Sequence, residues 1–474
     1  MFEVRLAPVG LDRLAQLLAS ERARRLEAAA LRAQEQLRGR VVWNVNATAT
    51  GGGVAEMLQV LVAYGRGAGV DTRWLVLDGD PEFFTITKRL HNFLHGSSGD
   101  EGSLDDRARS HYEQVLARNL DELLQRVHPQ DIVILHDPQT AGLVPGLVAA
   151  GAHVAWRCHI GRDTANELHD LGWAFLRPYI MAAHAFIFSR REYVPAWVRD
   201  DLVWVVPPSL DPFSAKNADL DPEVVSTTLH VAGLVSTSSP TSVTEFDRRR
   251  EGHGRVRHRD SLIIDGPPVP GDARVVLQVS RWDRLKDMEG VLRGFADNLS
   301  GLPDDAHLVL AGPDVTGVTD DPEGGEVLAS CLELRVSMDT SIRRRIHLTA
   351  LPMDDVDENA HLVNALQRHA SVVVQKSLVE GFGLTVTEPM WKSRPVVASA
   401  VGGIQDQIDH GVNGLLLDDP YDLDGMVKGV DTLLRDPETA QQLGERAHRT
   451  VLDRFLGDRH LLQYGELFAS MIEA

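Results

Sequence analysis

The sequence predicts an α/β protein made of two doubly wound parallel sheets in succession. Three observations predict it. Short apolar runs of strand length alternate with helical segments along most of the chain. A Pro/Asp-rich break, VVPPSLDPFSAKNADLDP at 205–222, divides them into two sets. In both sets the runs end in polar or Gly-rich loops that open helices, as βαβ units require.

The elements follow in order. Apolar residues at helical spacing between many charges make 11–37 one long amphipathic helix. GRVVWNVNATATGGGVAEMLQVLVAYGRGAGVDTRWLVLDGD then reads strand, Gly-rich loop, helix, strand. DIVILHDPQTAGLV, AHVAWRCHI, HAFIFSR and DLVWVVPPS are further strands, with helices such as HYEQVLARNLDELLQRV between some of them. After the break, 226–270 is polar, Ser/Thr-rich and then Arg/His-rich, and is expected to be an exposed, mobile insertion. ARVVLQVSRWDRLKD, AHLVLAGPD, RRIHLTALP, SVVVQKS and PVVASAVGG form the second strand set, and the tail from Asp422 is mostly helical. The expected division is 1–210, 211–450, and a C-terminal helix at 451–474 packing back on the first domain. Ligands of doubly wound sheets bind at the C-terminal ends of the strands, so two such domains facing one another predict a site in the cleft.

The chain has 474 residues, enough for two or three domains, and 43% hydrophobic composition gives each a core. Against 48 Lys+Arg stand 68 Asp+Glu, a net charge of −20, which argues against nucleic acid or an anionic membrane as partner. The two cysteines, Cys158 and Cys331, allow neither a disulfide framework nor a Cys-rich metal site. The N-terminus lacks the apolar core of a signal peptide, and no run of about 18 apolar residues occurs, so a cytoplasmic protein is expected. The N-terminal helix offers a face for its own domain or for the second subunit of a homodimer.

Several strand ends carry residues with chemistry. Gly51, Gly52 and Gly53 open a helix without the spacing of a dinucleotide fingerprint or the Lys-Ser/Thr of a P-loop, and suggest an anion or sugar site. Arg281 and Lys286 follow a strand, where two cations can neutralise a diphosphate. His159 ends another strand, beside Trp156 and Arg157, and Asp137 and Gln139, next to His136, are hydroxyl partners. Asp78-Gly79-Asp80 has the form of a metal-nucleotide site, but no third ligand is suggested, and no metal is expected. EGFGLTVTE is the strongest element. Glu380 precedes the helix, Gly381 and Gly383 free the backbone, and amides from Phe382 and Gly383 through Leu384 and Thr385 can meet phosphate or sugar oxygens. Glu388, seven residues further on, can hold a ribose diol, with Pro389 expected near the helix start.

EGFGLTVTE resembles the E-x7-E signature of retaining GT-B glycosyltransferases. Together with VNATATGGGVAEML, HNFLHG, LHDPQTAG, WRCHI, PPSLDPFSAKN, VSRWDRLKD and QKSLVEGFGLTVTEPMW, it is similar to the family of glycosyltransferring trehalose synthases. The resemblance runs from about Val41 to Leu417. It implies a GT-B fold of two Rossmann-like domains and glucosyl transfer from a nucleoside diphosphate glucose to glucose, with no further cofactor. It also implies residue roles. Arg281 and Lys286 would hold the diphosphate, Glu388 the ribose, and Glu380 with the amides of 381–385 the donor glucose. His159 would contact the donor sugar near the reacting carbon, and Gly52 and Gly53 would face the phosphates and acceptor. Asp137, Gln139, Trp156 and Arg157 fall to the acceptor side. Trehalose phosphorylase shares this architecture and is the alternative. The family usually reads CHIDLSSPN where this chain has CHIGRDTAN, so Gly161 and Arg162 open the question of a different acceptor.

Overall fold

The computed structural model describes residues 1–49, 52–236, 244–248, 252–259, 262–315 and 322–473. Two compact units emerge, Met1–Ser209 with Phe455–Ala474, and Leu210–Arg454.

The first unit holds seven strands: β1 (Phe2–Val4), β2 (Val42–Asn46), β3 (Thr72–Val76), β4 (Ile132–His136), β5 (His153–Cys158), β6 (Ala185–Phe188) and β7 (Val203–Val205). Their order is β1-β3-β2-β4-β5-β6-β7, parallel except for β1, which pairs antiparallel with β3. Strand order reverses between β2 and β4, so the loops after these two strands diverge to opposite faces and leave a crevice at their C-terminal ends. Side chains alternate. Trp43, Val45, Val133, Leu135 and Trp156 enter one core layer. Val42, Ile134 and Ala155 enter the other, closed by Tyr464, Leu467 and Phe468 of the C-terminal helix Gly457–Glu473.

The second unit begins with short strands β8 (Val235–Ser236), β9 (Glu245–Asp247), β10 (His253–Arg255) and β11 (Val269–Pro270). Its main sheet is β12 (Arg274–Val279), β13 (Ala306–Pro313), β14 (Ile346–Leu351), β15 (Val372–Gln375), β16 (Val396–Ser399) and β17 (Leu415–Leu417). The order β14-β13-β12-β15-β16-β17 is parallel throughout and reverses between β12 and β15. Near-continuous apolar strands such as VVV at 372–374 reflect burial on both faces.

Two expectations are corrected. The N-terminal segment is two helices, Asp12–Leu17 and Ser20–Gln36. Leu18 and Ala19 take extended backbone between them, and Leu14, Leu18 and Leu26 are all buried. Nor is 226–270 simply an exposed segment. Its first residues complete the helix Pro222–Ala232, where Thr227 and Thr228 are buried. Three of its described arginines are pinned: Arg248 bonds Asp355 at 2.7 Å, Arg257 bonds Glu358 at 2.6 Å, and Arg259 bonds Asp354 at 2.8 Å. The stretches 237–243, 249–251 and 260–261 lie outside the described residues.

Glu358 is fully buried and also accepts the Arg257 backbone N–H at 2.7 Å. Glu358→Ala strands that N–H and loosens two guanidinium groups. It should lower the urea-unfolding free energy by about 2 kcal/mol and speed protease cleavage within 245–259. Unchanged cleavage would show that these pairs do not hold the segment.

Candidate functional site

Each unit gathers polar side chains where its strand order reverses. In the second, the loops after β12 and β15 are tied together. The Leu378 N–H donates to the Leu285 carbonyl at 2.7 Å, and the fully buried Lys376 pairs with Asp287. Beside these ties Lys286 Nζ donates to Glu380 Oε2 at 2.5 Å, with both side chains largely buried. Ser377 Oγ donates to the same oxygen at 3.4 Å, and the Gly381 N–H donates to Glu380 Oε1 at 3.2 Å. Arg281 lies outward, 55% exposed, with Nη2 2.9 Å from Asp283 Oδ2. Lys286 and Glu380 are thus brought together, and Arg281 stands at the rim.

The turn into the helix Leu384–Trp391 depends on glycine. Gly383 has φ +87°, and a Cβ there would meet Ile404 at 3.1 Å and Glu380 at 3.2 Å. Phe382 is buried, and its carbonyl accepts from Gln407 Nε2 at 2.6 Å, so this residue offers a ligand its backbone only. Leu384 and Thr385, half-buried, form the first turn. Pro389 sits in the sixth position of the helix, not near its start as its sequence suggested. Glu388 is buried, and its carboxylate is held by Gln367 Nε2 at 3.2 Å and Lys216 Nζ at 3.4 Å. Lys392 lies behind it, bonded to Gln367 Oε1 at 2.7 Å and Asn217 Oδ1 at 2.9 Å, and burial pushes its ammonium down to about 7.

In the first unit the helix Gly52–Gly67 begins at Gly52 and Gly53, while Gly51 lies outside the described residues. At the end of β4, Asp137 has φ +64°, a conformation that a non-glycine residue adopts only when its surroundings enforce it. They do so here. Its N–H donates to the Arg157 carbonyl at 2.8 Å, and its carbonyl accepts from Trp156 Nε1 at 3.2 Å. Its Oδ1 accepts the His159 N–H at 2.8 Å. Burial pushes the Asp137 carboxyl up to about 7, against the opposing pull of that N–H and of Arg157. Gln139 is half-buried on the following 3-10 turn, Pro138–Leu143. His159 Nε2 lies 3.1 Å from His136 Nδ1.

Trp156 and Arg157 are corrected as acceptor residues. Alternation along β5 sends Trp156 into one core layer and Arg157 beneath the C-terminal helix, both with no exposed surface. Arg157 bonds Tyr464 Oη, His460 Nε2 at 3.1 Å and the Val206 carbonyl at 3.0 Å. Asp80 of the Asp-Gly-Asp motif caps the helix Pro81–Leu94 and bonds His111 at 2.8 Å. Gly161 has a steric role, since a Cβ there would lie 2.1 Å from the Tyr193 ring. Arg162 donates to the His95 carbonyl at 3.1 Å. Sequence reasoning missed Lys216, Lys376, Asn44 and His460. The signal available for Lys376 and Asn44 was a polar residue at or inside an otherwise apolar strand. Among the described residues no cluster of three or more His, Cys, Asp or Glu is arranged to hold a metal, and no helix is long and apolar enough to cross a membrane.

Comparison with known proteins places these geometries. Residues 44–195 match the family described as trehalose synthase, N-terminal domain, and residues 262–450 match glycosyl transferases group 1. The trehalose synthase of Rubrobacter xylanophilus is 35% identical over 440 residues, covering 92% of each chain. The trehalose phosphorylase of Pleurotus sajor-caju is 26% identical, covering 78% of this chain and 50% of that protein. A solved structure described as trehalose-6-phosphate from E. coli bound with UDP-2-fluoro glucose has a TM-score of 0.66 at 13% identity. The match covers 92% of this chain and 99% of that one. The fold is GT-B.

Asp137 supplies a pH test. Its folded pKa, about 7, lies above the ordinary carboxylate value. Its contribution to stability is therefore fully present at low pH and is lost as pH rises toward 7. Asp137→Asn keeps an oxygen for the His159 N–H and cannot ionise. The unfolding free energy of wild type minus variant should fall between pH 4 and pH 7 by on the order of 3 kcal/mol. A flat difference across this window would refute the assignment.

Proposed function

The chain belongs to the trehalose synthase family of group 1 glycosyltransferases, and on that premise we propose that it moves glucose from a nucleoside diphosphate glucose to glucose, forming trehalose reversibly and with retention. The observation that carries this reading is the Lys286–Glu380 pair beside the Gly381–Gly383 turn, at the point where strand order reverses.

The ammonium of Lys286 has three donors, so it can keep Glu380 and still meet a diphosphate oxygen. Arg281, at the rim, adds a second cation as negative charge develops on the leaving group. No metal ion is assigned a role. Glu380, already accepting from Lys286 and Ser377, keeps lone pairs for sugar hydroxyls and acts as an orienting group. Retention then follows if the departing phosphate oxygen takes the proton of the acceptor hydroxyl on the same face of the sugar. The protein's part is position and charge, without a covalent intermediate. Glu388, fixed by Lys216 and Gln367, is assigned to the ribose diol. In the first unit Asp137, Gln139 and His159 are assigned to the sugars.

The phosphorylase relatives motivate a second reading, in which inorganic phosphate replaces the nucleotide. One experiment separates the two. Trehalose is incubated with ADP, UDP or GDP, and separately with phosphate. A nucleoside diphosphate glucose should appear with at least one nucleotide. A glucose phosphate from the phosphate arm alone would establish the phosphorylase. Running the forward reaction with a panel of acceptors besides glucose tests whether Gly161 and Arg162 alter the choice.

Two substitutions test the roles. Lys286→Ala should lower kcat by about 10²-fold. Glu388→Ala should weaken nucleotide binding about tenfold or more, measured by calorimetry, and nucleotide affinity untouched by it would remove the ribose assignment. A glycosyl-enzyme trapped with wild type and absent in Glu380→Gln would overturn the orienting role of Glu380.

A further inference from the structure

The layer of the first sheet that faces the C-terminal helix is apolar at Val42, Ile132 and Ile134 and turns polar from the middle of β2 and at the end of β4. There Asn44 stands on β2 opposite Ile134, two residues before His136 on the same strand face. Asn44 and His136 are both almost fully buried. Asn44 Oδ1 lies 3.2 Å from His136 Nε2, and His136 Nδ1 lies 3.1 Å from His159 Nε2. The two imidazole centroids are 5.4 Å apart with the rings tilted by 13°. That spacing is too wide for rings stacked face on face. Nearly coplanar rings at this separation are what an in-plane N–H···N bond requires.

Proton positions follow from donor and acceptor chemistry. An amide oxygen only accepts, so His136 carries its proton on Nε2. A neutral imidazole has one N–H, so His136 Nδ1 is a lone pair and His159 must donate to it from Nε2. His159 Nδ1 is then the ring's acceptor. Both rings are held neutral, first by burial and then by the Arg157 guanidinium, which push their pKa values well below the ordinary histidine range.

We propose that Asn44 and His136 form a tautomer relay that fixes His159 as an Nε2–H imidazole presenting Nδ1 as a hydrogen-bond acceptor. Asn44 and His136 are positioning residues, acting only through His159. Resting on the glucosyl-transfer reading, the relay makes His159 a receiver of a sugar hydroxyl proton bond. It excludes His159 as a proton donor to the substrate. Specificity follows, because a sugar presenting an acceptor oxygen at that position leaves a lone pair facing a lone pair.

The test is ring nitrogen NMR on the full chain labelled with ¹⁵N-histidine. His159 in the wild type should show an unprotonated Nδ1 and a protonated Nε2. Asn44→Leu removes the anchoring oxygen at a place already lined by Val42, Leu61 and Ile134. It should release His136 and turn the His159 signals into a tautomer average. Asn44→Asp, which keeps an accepting oxygen, should restore the wild-type pattern. On the transferase reaction, Asn44→Leu should lower kcat about tenfold with little change in KM. A protonated Nδ1 on wild-type His159 overturns the relay whether or not any variant folds. So does a His159 pattern unmoved in a folded Asn44→Leu. Should the chain prove not to transfer glucose, the tautomer measurement still decides the relay, so the two readings fail separately.

Discussion

The first unit is organised around one buried charge. The Arg157 guanidinium has no exposed surface, and taking such a group out of water costs several kcal/mol unless acceptors surround it. The acceptors come from three places in the chain: the Val206 carbonyl after β7, and His460 and Tyr464 on the C-terminal helix. His460 can accept at Nε2 because its Nδ1 is engaged with Ser209 Oγ at 2.8 Å. The final helix is therefore bound to this sheet by a charge that needs it, in addition to the apolar contacts of Leu467 and Phe468. The same charge bears on His136, His159 and His460. Burial is the larger cause of their low basicity, and Arg157 adds to it in each. A fully buried cation thus reinforces what burial does to the protonation of these three histidines.

The second unit solves a different problem. A parallel sheet whose order reverses leaves the loops after β12 and β15 side by side with their polar groups in need of partners. Lys376–Asp287 and the bond between Leu378 and Leu285 lock the two loops from beneath, and Lys286 and Glu380 meet above them. Gly383 lets the chain enter its helix through a left-handed turn, close to Glu380 and Ile404. Glu388 sits on the buried face of that helix among Lys216, Gln367 and Lys392, where its charge is matched from two directions.

Much of this was legible along the chain, for identifiable reasons. Parallel strands covered on both faces are apolar throughout, so β2, β4, β12 and β15 announce themselves. Glycines that a turn cannot do without, such as Gly383, stand out beside charged neighbours. What misled was local pattern without knowledge of the face. Trp156 and Arg157 adjoin His159 in sequence, but strand alternation buries them on opposite sides of the sheet. The Arg/His-rich part of 226–270 was expected to be an exposed insertion, yet Arg248, Arg257 and Arg259 pair with Asp355, Glu358 and Asp354 around the start of a distant helix. A regular apolar spacing over 11–37 also hid the break at Leu18 and Ala19.

By itself the sequence determined the fold class, the family, and the residue types at the strand ends. Those depend on local periodicity, on turn chemistry and on short motifs, all of which are written within a few residues. Tertiary structure alone decided which of those residues act together: Lys286 with Glu380 across 94 positions, Glu388 with Lys216, and Asn44 with His136 across 92. It also decided which polar side chains are enclosed, and so which, like Asp137, retain a proton that water would remove and which, like His136, lose the charge that water would favour. The physical reason is that desolvation and pairing are properties of the space around a group, and that space is assembled from segments far apart in the chain.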